Sequence, residues 1–206
     1  MDDSIDYYFT ATSPFAYLGQ KALVEIANRN GKAISYKPVK MAGLWAVSGS
    51  VPLKDRSETR QRYRLLELQR ISEQRSLELV TQPDNFPTDP QLADRCIISI
   101  GATGGNPGDF YFSVGQALWR DERQIADAEV LAELLKTTGF DPDAILDMAN
   151  REKSAEIYEK NTQDAVSADA IGAPAYVYRG EVFWGQDRLD LLEAMIVSGR
   201  QPFKTK

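Results

Sequence analysis

Four places along the chain hold residue types whose spacing suits chemistry. Ser13-Pro14 closes an alternating segment and opens an amphipathic one, placing a hydroxyl at a helix start. A helix N-terminus carries unpaired N–H groups and about half a positive charge. It would stabilise an anion brought to it, with the Ser13 hydroxyl donating a further hydrogen bond; Ser13 serves equally as a plain N-cap. Gly172-Ala173-Pro174 immediately precedes a strand, and because proline cannot donate to a sheet ladder it must sit at a strand start or in a special turn. Gly185-Gln186-Asp187 begins a further helix after Trp184. There Asp187 would take an ammonium and the backbone N–H groups a carboxylate, or else Asp187 is a cap with Arg188 in solvent. The fourth place is the basic run from Lys54 to Arg64, in which Arg56, Arg60, Tyr63 and Arg64 fall on one face of a helix. Such a face would hold an anionic aromatic molecule through bidentate arginine contacts, or simply be a solvated face.

What is missing constrains the chemistry as much. The 206 residues contain no histidine and one cysteine. Ser-His-Asp triads, HExxH zinc sites and histidine general bases are therefore excluded, and no metal site is expected. Cys96 lies within the apolar run LADRCIISI and reads as core. Trp45, Phe86, Phe110, Phe112 and Trp119 would line a pocket or fill the core. A net charge of −6 argues against nucleic acid and anionic membranes as partners. No apolar run reaches the roughly 20 residues of a bilayer span. The acidic opening Met1-Asp2-Asp3-Ser4 is unlike a secretory signal. With a lone cysteine, these features lead to the expectation of a cytoplasmic protein.

The elements that must position these groups are readable from period and punctuation. Ser4–Thr10 alternates, with Ile5, Tyr7 and Phe9 to one side, and predicts a strand. Phe15, Leu18, Ala22, Leu23 and Ile26 carry a helix that Asn30-Gly31 stops; Lys32–Val39 predicts a second strand. From Lys54 to Ala170 the signals are helical: Asp55–Gln74, Leu92–Ile100, Asp109–Arg120, Ala128–Thr137, Pro142–Asn150 and Ser154–Asp169, with Asp127 and Asp141-Pro142 as starts. Ala175–Tyr178, a turn at Arg179-Gly180-Glu181 and Val182–Trp184 predict a hairpin, and Arg188–Val197 a last helix stopped by Gly199. The order βαβ, helical block, ββα predicts an α/β chain in which residues 1–53 and 171–206 form one small mixed sheet with helices, and residues 54–170 an all-helical insertion.

In this order the segments resemble a family. Tyr8-Phe9-x-x-x-Ser13-Pro14-Phe15-x-Tyr17-Leu18-Gly19 resembles the start of 2-hydroxychromene-2-carboxylate isomerases, kin of kappa-class glutathione transferases and of bacterial periplasmic disulfide oxidoreductases. Phe86-Pro87 with Ala93-x-Arg95, Ala117-x-Trp119, Gly172-Ala173-Pro174 and Phe183-Trp184-Gly185-Gln186-Asp187-Arg188-Leu189 are similar to further stretches of that family. The resemblance implies a thioredoxin-like fold with the helical insertion, a homodimer, and glutathione as cofactor. Ser13 and Ala16 take the places that a Cys-x-x-Cys pair holds in the redox relatives, so dithiol exchange is excluded. Ser13 is then the catalytic group, meeting the glutathione thiolate. Ala173 and Pro174, the place of a cis-proline in such folds, with Trp184, Gly185, Gln186 and Asp187 complete the glutathione site. A small aromatic carboxylate would lie among Ser50, Val51, Pro52, Lys54, Arg60 and Phe86. The chain departs from the family where an Asn ordinarily precedes the Pro of this loop; Ser50-Val51-Pro52 stands there, and the arginine run supplies a different anion site. The implied activity is a glutathione-dependent cis–trans isomerisation in aromatic catabolism. A kappa-type transferase or peroxidase, or a non-catalytic thioredoxin-like binding module, would use the same framework.

Overall fold

The computed structural model describes residues 3–203, so Met1 and Asp2 of the acidic opening lie outside the described residues. A four-stranded mixed sheet stands at its centre. β1 (Ile5–Phe9), α1 (Pro14–Arg29) and β2 (Ile34–Pro38) form the βαβ unit, with β1 and β2 parallel. β3 (Ala175–Tyr178) runs antiparallel to β1 and to β4 (Glu181–Trp184), giving the order β2-β1-β3-β4. The last helix, here α9 (Leu189–Ser198), ends at Gly199 in the left-handed conformation.

Between β2 and β3 the chain is helical: α2 (Met41–Ser48), α3 (Glu58–Arg75), α4 (Gln91–Ala102), α5 (Gly108–Trp119), α6 (Ala128–Thr137), α7 (Pro142–Asn150) and α8 (Glu152–Ser167). Asp127 and Asp141 cap α6 and α7 through their carboxylates, as expected from sequence. Two elements between β2 and β3 differ from the sequence expectation, and beyond β4 a 3-10 turn covers Gln186–Arg188 before α9 begins. Helix α2 is unannounced because MAGLWAVS is apolar throughout and has no polar face to mark a period. Its place is set by packing on α8, where a Cβ on Gly43 would lie 2.5 Å from Thr162 Cγ2. The basic helix expected from Asp55 begins instead at Glu58. Ser57 accepts from the Arg60 N–H and caps it, a single 3-10 turn covers Leu53–Asp55, and Arg56 between them is extended. Arg56 therefore does not share a helical face with Arg60, Tyr63 and Arg64.

Both sheet faces are buried. Ile5, Tyr7 and Phe9 join Tyr176 and Tyr178 in the main core, beside α1, α9 and the inner faces of α3 to α7. Tyr7 stacks on Phe9 at 4.4 Å and on Tyr176 at 5.1 Å between ring centroids. On the opposite face Tyr8, Ala175 and Val177 pack with Val39, Leu44, Ala165 and Ala170, so α2 and α8 cover what would otherwise be a wet surface. Helices α4 and α8 also pack against β2, covering the edge of the sheet. Among the described residues no helix is long and apolar enough to cross a membrane.

One buried acid ties the helical block to the sheet. Asp94 on α4 is fully buried. Its carboxylate accepts from the Ala11 N–H at 2.7 Å, the Thr10 hydroxyl at 2.9 Å and the Tyr158 hydroxyl at 2.7 Å. Thr10 and Ala11 form the turn between β1 and Ser13, so α4 and α8 together hold the start of α1. No cation pairs with Asp94 among the described residues, and burial pushes its carboxyl up to about 7 against the three donors that favour ionisation. An ordinary carboxylate in the unfolded chain ionises well below that. The fold therefore binds this proton more tightly, and the resulting stabilisation is complete at acid pH and is lost as pH rises through about 7. Urea midpoints should fall from about pH 5 to about pH 8 in the wild type, and this part of the slope should vanish in Asp94→Asn; equal slopes would contradict the assignment.

The approach of α1 to the segment before α9 is equally tight. A Cβ on Gly19 would lie 2.7 Å from Gln186 Cβ and 3.0 Å from the Tyr176 hydroxyl. Gly19→Val should cost about 1–3 kcal/mol in chemical denaturation through overpacking. Gly101, also helical, has nothing within 4 Å of such a Cβ, and Gly101→Ala should be neutral or mildly stabilising.

Candidate active site

Ser13 is the N-cap of α1, and its Oγ accepts from the Ala16 N–H at 3.2 Å. That bond uses an oxygen lone pair and leaves the hydroxyl proton for an external acceptor. The first turn of α1 contains no acid. Pro14 has no N–H, and the Ala16 N–H is taken by the cap. The Phe15 N–H makes no hydrogen bond among the described residues. Phe15 also forms part of the wall of a cavity of about 690 Å³, so the positive end of α1 lies beside a space large enough for a small-molecule ligand.

The cavity runs between two parts of the chain. Residues around the sheet contribute Phe15, Ala173, Pro174 and Trp184–Arg188; α3 and the segment before it contribute Arg56, Arg60, Tyr63, Arg64 and Arg70. The Ala173–Pro174 bond is cis, and the Pro174 carbonyl accepts from the Gly185 N–H at 2.8 Å, fastening the two stretches together. Gly172 is required by close approach: a Cβ there would lie 2.6 Å from Trp184 Nε1. Gly185, at φ +100°, adopts a conformation that side chains rarely allow.

The expected site residues separate into groups. Ala173, Pro174, Trp184, Gly185, Gln186, Asp187 and Arg60 all lie on the cavity wall. Ser13 does not; it is half-buried at the cap, two residues from Phe15. Phe86 lies one layer behind the wall, where Arg64 covers its ring at 5.6 Å and that of Trp119 at 5.9 Å. Ser50, Val51, Pro52 and Lys54 are also off the wall, linked to it by the bond from Arg56 Nε to the Val51 carbonyl at 3.1 Å. Asp187 is exposed and pairs with Arg188 at 2.6 Å rather than capping a helix. Gln186 is buried, and its side-chain oxygen accepts from Arg75 at 3.0 and 3.2 Å. That oxygen is thus spent on holding the segment, which leaves the side-chain amide and the backbone for a ligand. Of the five aromatics read as pocket or core, Phe110 and Trp119 are fully buried core, and none of the five lines the cavity.

Sequence reasoning missed Asp94, Arg75 and the cavity roles of Arg70 and Arg188. Asp94 had a signal, an acid inside an apolar helical run; Arg75 had none, since its partner is 111 positions away. Cys96 is core, and burial pushes its thiol up to about 12, so the chain has no usable thiol of its own. Among the described residues no cluster of His, Cys, Asp or Glu is arranged to hold a metal ion.

Residues 4–197 match the family model for the DSBA-like thioredoxin domain. The chain is 30% identical over 192 residues to a 2-hydroxychromene-2-carboxylate isomerase of Pseudomonas sp. (strain C18), covering 92% of this chain and 88% of the relative. It is 25% identical over 199 residues to the enzyme of the same name from Sphingobium xenophagum, covering 96% and 100%. A solved 2-hydroxychromene-2-carboxylate isomerase superposes with a TM-score of 0.82 at 24% identity, covering 94% of each chain. The cytosolic disulfide reductase DsbM from Pseudomonas aeruginosa, solved with GSH, shares the fold at a TM-score of 0.69 and 14% identity, covering 95% of this chain and 98% of its own. With a thioredoxin-like sheet, a helical insertion and isomerases among its relatives, the chain belongs to the DSBA-like thioredoxin family, on the side of the 2-hydroxychromene-2-carboxylate isomerases.

Proposed function

We propose that this isomerase-family chain interconverts the cis and trans forms of a small aromatic carboxylate, resembling 2-hydroxychromene-2-carboxylate, and that it does so with glutathione. The observation that carries the reading is the pairing of an unusable internal thiol, Cys96, with an α1 N-terminus whose cap hydroxyl and Phe15 N–H remain free beside a cavity. The residues present fit the tripeptide: Asp187 offers an acid for its ammonium, Ala173, Pro174 and the segment from Trp184 to Gln186 offer a wall for its backbone, and the cavity has room. When bound, glutathione would supply a nucleophilic thiolate for reversible addition to a conjugated carbon–carbon double bond, and would be returned unchanged.

The chain's own residues have three tasks. Ser13 and the Phe15 N–H hold negative charge on sulfur, by hydrogen bonding and by the dipole of α1. Ala173, Pro174 and the segment from Trp184 to Asp187 fix the tripeptide along one wall. Arg60 and the residues around it fix the organic carboxylate, so that the reacting carbon and sulfur meet in one orientation. A lone, buried cysteine fits a reducing compartment, which makes the cytoplasm the proposed setting, and the family resemblance adds a homodimer.

The absorbance of a conjugated substrate should change catalytically only with glutathione present, while total thiol stays constant. Turnover without the thiol contradicts the mechanism; loss of one thiol per product would mark a transferase. Ser13→Ala should lower kcat about 100-fold, as losses of oxyanion donors do, and raise the apparent pKa of the thiol in the pH–rate profile. An unchanged profile in a folded variant removes Ser13 from the mechanism.

A further inference from the structure

The arginines of α3 fall into two sets. Arg62 pairs with Glu58 at 3.3 Å, Arg70 with Glu67 at 2.6 Å, and Arg75 is bonded to Gln186. Arg60 and Arg64, with Arg56 just before the helix, pair with no acid among the described residues, and these three share one wall of the cavity. Their charges oppose one another. Burial, with the added charge of Arg56, pushes the Arg64 guanidinium down to about 10, and Arg56 is lowered by burial and by Arg60. The rings of Phe86 and Trp119 hold the Arg64 guanidinium in place by cation–π contact. In a protein of net charge −6, an uncompensated cationic triad on a concave surface costs stability unless a ligand neutralises it.

One guanidinium grips one carboxylate with two parallel hydrogen bonds. Three exceed what a substrate with a single acidic group can satisfy. Arg60 and Arg64 are one helical turn apart, roughly 6 Å, close to the separation of two acidic groups across a benzene ring. Phe15 and Tyr63 supply aromatic surface on the cavity wall that such a ring would cover. We propose that the substrate is a dianion: an aromatic carboxylate carrying a second carboxylate or sulfonate on its ring, held by Arg56, Arg60 and Arg64. This rests on the isomerase reading for the reaction, but its binding test does not require turnover.

The second source of negative charge is glutathione itself, through its own carboxylates, and the experiment separates the two. Calorimetric titrations compare cinnamate with 4-carboxycinnamate at low salt, with and without saturating S-methylglutathione. The dianion should bind at least about 10-fold more tightly in both conditions, the effect of one further charge-assisted contact. The preference should collapse towards parity in Arg60→Gln/Arg64→Gln, shrink in the charge-keeping Arg64→Lys, and persist in Arg62→Gln. Equal affinities, or no binding of either probe, overturn the proposal. A preference abolished by S-methylglutathione also overturns it, assigning the triad to the peptide. A preserved preference in a protein that does not bind S-methylglutathione would sustain the dianion site and remove the glutathione reading instead.

Discussion

The arrangement depends on four residues, Thr10 to Ser13, in which β1 ends and α1 begins. The direction in which this turn releases the helix decides where its positive end lies. Local preference alone leaves that direction loose. The Asp94 carboxylate fixes it by accepting from Thr10 and Ala11 on one side and from Tyr158 on the other. These bonds are formed away from water, where an unsatisfied carboxylate would be costly, so the turn and the two helices must close on it together. The helical block therefore does more than cover the sheet. It supplies the pin under the helix start and, through α3, the wall opposite it.

Once α1 is placed, the rest of the cavity follows by close approach. Gly19 lets the segment around Gln186 settle on α1, Gly172 admits the Trp184 indole, and Arg75 holds Gln186 from the far side. The outcome is a cleft with one end suited to a sulfur anion, an acid at Asp187, and a cationic wall. On the proposed reading, such a division of charge would orient a peptide-like cofactor and an organic anion by the same rules that govern helix termini and bidentate arginine contacts. On the same reading, a chain without histidine takes its nucleophile from outside and holds it as its anion by dipoles.

Features set by neighbours in sequence were readable in the sequence. The alternation of Ile5, Tyr7 and Phe9, the Ser13-Pro14 start, the caps at Asp127 and Asp141 and the turn at Arg179-Gly180 all leave local patterns, and the structure has them. One side of the cavity wall, from Ala173 to Asp187, was legible only because several weak signals occur in a family's order. Features set by distant partners were not. Helix α2 owes its place to α8, and Gln186 is held from Arg75. Arg56 left the expected helix because Ser57 makes a better start than a continued basic run. The loop at Ser50–Lys54, which the resemblance implies as a substrate contact, is off the wall and is joined to it by the bond from Arg56 to the Val51 carbonyl.

The central claim is that an external thiol is held here as its anion. Calorimetric titration of glutathione at neutral pH, repeated in buffers of different ionisation enthalpy, counts the protons released on binding. The account requires release approaching ~1 proton per glutathione bound, because a thiol ordinarily protonated at that pH is bound as thiolate. It also requires no release with S-methylglutathione and weaker binding of both in Asp187→Ala. Binding without proton release, or no binding of either form, would contradict it.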